Sequence, residues 1–123
     1  MSFKFAHFNF NVTDLSKSLD FYQKALGLCE KRRINAEDGS YVLVYLKDTE
    51  NSDFELELTW LRDHPQKYDL GECEFHLAME VPDYDAALQK HQKMGVVCFI
   101  NQEMGIYFIE DPDGYWIEII PQK

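Results

Sequence analysis

The chain has 123 residues, 46% of them hydrophobic, with 22 acidic against 12 basic side chains and a net charge of −10. That length suits one domain able to bury a core of its own without disulfide staples. The acidic balance excludes the basic footprint that nucleic acids and anionic membrane surfaces require, and no apolar run approaches the roughly 20 residues of a membrane span.

Residues 3–12 alternate as a strand does, with Phe5, His7, Asn9 and Asn11 on one face and Ala6, Phe8, Phe10 and Val12 on the other. Asp14 then caps a helix with Leu15, Leu19, Tyr22 and Leu26 at helical spacing, and Gly27 ends it. Residues 28–36 and 40–47 read as a hairpin around Glu37-Asp38-Gly39. Residues 53–60 alternate again, setting Phe54, Leu56, Leu58 and Trp60 against Glu55, Glu57 and Thr59. The charged stretch 62–72, with Pro65 and Gly71, reads as a linker in which His64 is expected to be solvated.

The pattern then restarts. A strand at 74–81 sets His76, Ala78 and Glu80 against Phe75, Leu77, Met79 and Val81. Asp83 caps a second helix, with Tyr84, Ala87, Leu88 and Met94 expected inward, His91 packing rather than ligating, and Gly95 as the stop. Strands at about 96–101, 105–110 and 115–120 follow, and Asp111-Pro112-Asp113-Gly114 forms a tight turn between the last two. The order is β-α-β-β-β, twice. This predicts an α+β fold: two βαβββ modules in tandem, about 1–61 and 73–123, within one domain of residues 1–123. Each helix can cover one face of its small mixed sheet, so each sheet keeps a second, polar, concave face. Cys29, Cys73 and Cys98 are odd in number and none has CxxC spacing, which predicts reduced, buried thiols in a cytoplasmic protein. The N-terminal residues show no apolar signal core.

Four residues recur at matching places in the two modules. His7 precedes Asp14 as His76 precedes Asp83, by seven residues each time. Glu57 lies between Leu56 and Leu58, and Glu118 between Ile117 and Ile119. A lone strand histidine is more often a hydrogen-bonded structural residue, and a lone strand glutamate more often solvated. The repeated pairing changes that balance. A carboxylate among aliphatics is costly unless something positive meets it. Two neutral imidazoles and two carboxylates would balance one divalent ion, and mixed N/O ligands suit Ni, Co, Fe, Mn or Zn. The expectation is sheets curled around a metal-binding cleft lined by His7, Glu57, His76 and Glu118.

The stretches His7-Phe-Asn-Phe-Asn-Val-Thr-Asp-Leu15, Ser18-Leu-Asp-Phe-Tyr22, Leu26-Gly27, Leu56-Glu57-Leu58-Thr59, the His76 strand and Asp111-Pro-Asp-Gly-Tyr-Trp-Ile-Glu118 carry a resemblance across roughly 3–120. The chain resembles the glyoxalase I (lactoylglutathione lyase) family of the vicinal oxygen chelate superfamily. The resemblance implies the ligand order His7, Glu57, His76, Glu118. Related epimerases typically carry Gln at the place of Glu57, and ring-cleaving dioxygenases and fosfomycin-resistance enzymes use two His and one Glu. It also implies a homodimer in which the His7/Glu57 pair of one subunit meets the His76/Glu118 pair of the other, giving two interface sites. The short length resembles the class that prefers Ni(II) or Co(II), with Zn(II) as the alternative.

The implied activity is isomerisation of the hemithioacetal of a 2-oxoaldehyde, such as methylglyoxal with glutathione or another thiol, to a 2-hydroxyacyl thioester. The proton would move through a metal-bound enediolate, with Glu118 as base and Glu57 as the opposed carboxylate. Trp60, Met104, Ile106 and Phe108 are candidates to line an apolar pocket, with core packing the plainer reading of each. Some expected anchors for the glutathione carboxylates are absent: Asn11 replaces an Arg, Leu61 an Asn, the segment before His76 is acidic at Glu72 and Glu74, and Gln102-Glu103-Met104-Gly105 stands where others carry Lys. The thiol partner therefore stays open. Two alternatives remain: another metal-dependent enzyme on this scaffold (an epimerase, thiol transferase or dioxygenase), and a non-catalytic small-molecule binding dimer.

Overall fold

Two aspartates start the two helices. The Asp14 carboxylate accepts from Lys17 N at 3.1 Å and that of Asp83 from Ala86 N at 3.1 Å, each filling a backbone donor that the first helical turn leaves open. The helices end at Gly27 (φ 69°) and Gly95 (φ 72°), where the left-handed backbone suits a residue without Cβ. These signals bound α1 (Leu15–Leu26) and α2 (Tyr84–Met94) where the sequence places them.

In this computed structural model, which describes residues 1–123, the chain forms two compact units, Met1–Tyr68 and Asp69–Lys123. The first holds β1 (His7–Val12), α1, β2 (Cys29–Asn35), β3 (Tyr41–Lys47) and β4 (Glu55–Leu61), in sheet order β1-β4-β3-β2. The second holds β5 (Leu77–Val81), α2, β6 (Val97–Asn101), β7 (Ile106–Glu110) and β8 (Trp116–Pro121), in sheet order β5-β8-β7-β6. In each sheet the first strand pairs parallel with the last, and the other pairings are antiparallel. The fold is α+β, with two βαβββ modules in tandem and mixed sheets.

Alternation sorts the faces. In the first unit Phe10, Val12, Val44, Leu46, Leu56 and Leu58 are buried with Phe21, Tyr22 and Ala25 of α1. In the second, Tyr107, Ile109, Ile117 and Ile119 are buried, as is His91 of α2. His91 Nδ1 meets the Tyr107 hydroxyl at 2.7 Å, so it packs as expected. Burial keeps the Tyr107 phenol protonated well above its ordinary range.

Several boundaries and faces differ from the sequence reading. β1 starts at His7 rather than residue 3, because its partner β4 begins at Glu55, directly opposite. Phe3 and Phe5 continue the alternation without a ladder and are 91% and 88% exposed. β5 starts at Leu77, where pairing with Ile117 begins, so His76 stands just ahead of its strand. Met94 faces outward and His91 takes the inward place. His64 is not freely solvated: its ring stacks on Tyr68 at 3.9 Å and Nδ1 is buried. Cys29 is exposed, while Cys73 and Cys98 are half-buried; all three are free thiols. No helix is long and apolar enough to cross a membrane.

Candidate functional site

The period of two along β1 and β4 puts His7, Asn9, Glu55, Glu57 and Thr59 on the face away from α1. The parallel register sets Asn9 opposite Glu57, so His7 is its diagonal neighbour. His7 Nε2 lies 3.5 Å from Glu57 Oε1. The second unit repeats this arrangement. Ala78 stands opposite Glu118, and His76, two residues earlier, has Nε2 3.5 Å from Glu118 Oε1. Both histidine side chains are 41% exposed, and the glutamates 12% and 18%. Each pair therefore opens to the surface from a carboxylate set deep in its sheet.

Aromatic rings flank both pairs. Tyr45 stands opposite Glu57 across the antiparallel ladder, edge-on to His7 at 5.6 Å and 83°. Phe108 stands opposite Glu118, edge-on to His76 at 5.2 Å and 83°. The Tyr45 hydroxyl donates to Glu57 Oε2. That bond first, and burial second, raise the phenol above its ordinary value, so it stays a donor. The Arg32 guanidinium sits 3.5 Å over the Tyr45 ring centroid, and its Nη2 reaches Glu55 Oε1 at 3.1 Å. The Asn9 amide satisfies its surroundings with its nitrogen turned toward Thr59 Oγ1 (2.6 Å) and Glu57 Oε1 (3.0 Å). Asn11 reaches the Tyr68 hydroxyl at 3.5 Å.

The donors suit a divalent metal. Bonds of about 2.0–2.2 Å from an ion separate neighbouring ligand atoms by about 3 Å or slightly more. A 3.5 Å gap between an imidazole nitrogen and a carboxylate oxygen is close to that and too long for a hydrogen bond between them. The structure brings the four sequence-derived residues together as two pairs, and no group of three or more His, Cys, Asp or Glu able to hold a metal forms within the chain.

Of the candidate pocket residues, Phe108 borders His76 and belongs to an aromatic cluster with Trp116 (5.2 Å) and Phe99 (6.2 Å). Trp60 shares the strand face of Leu56 and Leu58, Ile106 is buried, and Met104 is 69% exposed. Sequence reasoning missed Tyr45, Asn9 and Arg32. Aligning the two modules strand by strand would have matched Tyr45 with Phe108 and Asn9 with Ala78.

Residues 4–119 match the family model of the Glyoxalase/Bleomycin resistance protein/Dioxygenase superfamily. The lactoylglutathione lyase of Neisseria meningitidis serogroup A is 35% identical over 128 residues, covering 95% of this chain and 89% of its own. That of Escherichia coli O157:H7 is 34% identical, covering 95% and 91%. Among solved structures, the trypanothione-dependent glyoxalase I of Leishmania major superposes with a TM-score of 0.86 at 29% identity, over 98% of this chain and 87% of that one. Matches that run nearly end to end leave no room for a different fold around the two His/Glu pairs: the chain belongs to the Glyoxalase/Bleomycin resistance protein/Dioxygenase superfamily and is a lactoylglutathione lyase-like enzyme.

Proposed function

We propose that the chain isomerises the hemithioacetal of a 2-oxoaldehyde and a thiol to a 2-hydroxyacyl thioester, with a divalent metal held by His7, Glu57, His76 and Glu118. The observation that carries this reading is the pair of equal 3.5 Å Nε2-to-Oε1 separations, one in each duplicated half. Two ligands per half make a full set when the His7/Glu57 pair of one copy meets the His76/Glu118 pair of another, so the working form is a homodimer. Nickel or cobalt is favoured and zinc is the alternative, in keeping with two imidazoles and two carboxylates. When bound, the ion supplies Lewis-acid polarisation of the substrate carbonyl.

The protein groups supply the rest. Glu118 takes the proton from the carbon that bears oxygen and sulfur, and returns it to the neighbouring carbon. Glu57 holds the opposite side. His7 and His76 are ligands through Nε2, the atoms that face the carboxylates. The apolar walls beside His76, Phe108 and Trp116, limit water near the transferring proton. The three free cysteines fit a reducing, cytoplasmic setting.

The test is ultraviolet absorbance of the hemithioacetal with protein stripped and reloaded with Ni, Co, Zn or Mn. Turnover with Ni or Co and none after stripping is the expected result. A protein that takes up no metal sinks the reading.

A second reading concerns the thiol. Asn11 and Leu61 occupy places where glutathione anchors are expected, and Asn9, Asn11 and Thr59 present neutral polar groups on the first sheet, with the Tyr68 hydroxyl 3.5 Å from Asn11. Arg32, the nearby cation, is engaged with Glu55. A thiol that carries two carboxylates, as glutathione does, would forgo charge-assisted bonds worth about 1.5–3 kcal/mol each. A neutral or cationic thiol suits this surface better, and the Leishmania enzyme's dependence on trypanothione shows that the thiol differs among similar proteins. Methylglyoxal assayed with glutathione, trypanothione and cysteamine in parallel separates the cases by kcat/KM.

A further inference from the structure

Duplication makes the two carboxylates look interchangeable, but their surroundings differ at both flanking positions. Opposite Glu57 stand Asn9 on one side and Tyr45 on the other. Opposite Glu118 stand Ala78 and Phe108. Each donor in the first half is replaced by a hydrocarbon in the second. The rings otherwise match, both edge-on to their histidine at 83°. The hydroxyl is the difference.

Its effect on Glu57 is specific. Oε2 is taken by the Tyr45 hydroxyl, while Oε1 faces His7 Nε2 at 3.5 Å and lies 3.0 Å from the Asn9 amide nitrogen. The two oxygens have separate duties, and the carboxylate is held at both. Tyr45 is held in turn: it is buried, and Arg32 covers its ring at 3.5 Å while reaching Glu55 at 3.1 Å. Within its sheet Glu118 meets His76 at 3.5 Å, and the residues opposite it, Ala78 and Phe108, offer methyl and aromatic surface in place of hydrogen-bond donors. A carboxylate without second hydrogen bonds can turn about its side-chain torsions at little cost. One tied at both oxygens must break a buried bond to do so.

We infer that Tyr45 is a positioning residue that fixes Glu57 as a one-oxygen metal ligand, a restraint that Glu118 does not share. This rests on the metal-dependent reading above and adds the residue that holds Glu57 in place. A group held still binds well but cannot follow a proton from one carbon to the next, and a loosely held one can.

The experiment compares wild type, Tyr45→Phe and Phe108→Tyr, with Ni affinity by calorimetry, the visible absorption spectrum of the Co(II) form, and kcat and KM. Tyr45→Phe should fold as wild type by circular dichroism, lose about tenfold in Ni affinity and change the Co(II) spectrum. Phe108→Tyr gives Glu118 the restraint that Glu57 has. It should keep or tighten metal binding and lower kcat about tenfold with KM nearly unchanged. Wild-type affinity and spectrum in Tyr45→Phe, or wild-type kcat in Phe108→Tyr, would overturn the inference. Should Tyr45→Phe fail to fold, Phe108→Tyr alone decides it. A wild type that takes up no metal brings down the underlying reading as well, whereas a metal-binding wild type with silent variants removes only the role of Tyr45.

Discussion

Glu118 lies 3.5 Å from His76 Nε2 and 18% exposed, at the edge of an aromatic surface that can exclude water. Removing its basicity while keeping its shape should cost the reaction and spare the site. Glu118→Gln is expected to lower kcat by about a hundredfold or more while Ni remains bound, as measured by turnover and by metal content after gel filtration. A second prediction concerns the thiols. Burial pushes Cys98 up to about 11, and its Sγ lies 3.5 Å from the Phe108 carbonyl. At pH 8 about a thousandth of it is thiolate, so iodoacetamide should label the exposed Cys29 well before Cys98, with the gap narrowing as pH rises toward 11, by mass spectrometry of timed samples. The four ligand candidates were legible because the duplicated spacing singles them out. Tyr45 was not, because a tyrosine in an apolar strand reads as core, and only the ladder register sets its hydroxyl against Glu57.

At the scale of elements, the helices were legible because their limits are local chemistry: Asp14 and Asp83 cap, and Gly27 and Gly95 stop. Asp14→Ala should destabilise the protein by about 1 kcal/mol, read as a lower urea midpoint with unchanged slope. Strand ends were less legible because a partner sets them. Phe3 and Phe5 keep the alternation but have no strand beside them, and His76 lies one residue outside β5. The turn before β8 was legible and holds more than its type suggests. The buried Asp111 carboxylate accepts from Asp113 N and Tyr115 N, both at 2.9 Å. Asp111→Ala would leave two backbone donors without that partner, so a loss of about 2 kcal/mol or more is expected in the same measurement.

For the whole molecule, the test is whether the two pairs come from different copies. His7→Ala and His76→Ala should each be inactive alone, since every site in either homodimer lacks a ligand. Refolded together, they should regain up to about one quarter of wild-type activity, because half the dimers are mixed and each mixed dimer has one complete site. No recovery would place all four ligands in one chain's site. Phe3, Phe5, Phe75 and Phe99 are exposed apolar side chains that association between copies would cover. The parallel pairing of first and last strands has a kinetic side as well. Each His/Glu pair joins the start of its half to its end, so making it closes a long loop and is expected to come late in folding. An ion that ties such a pair grips a late contact. It should therefore leave the refolding rate nearly untouched and slow unfolding, so that the loaded enzyme outlasts the stripped one by a longer lifetime rather than a faster start.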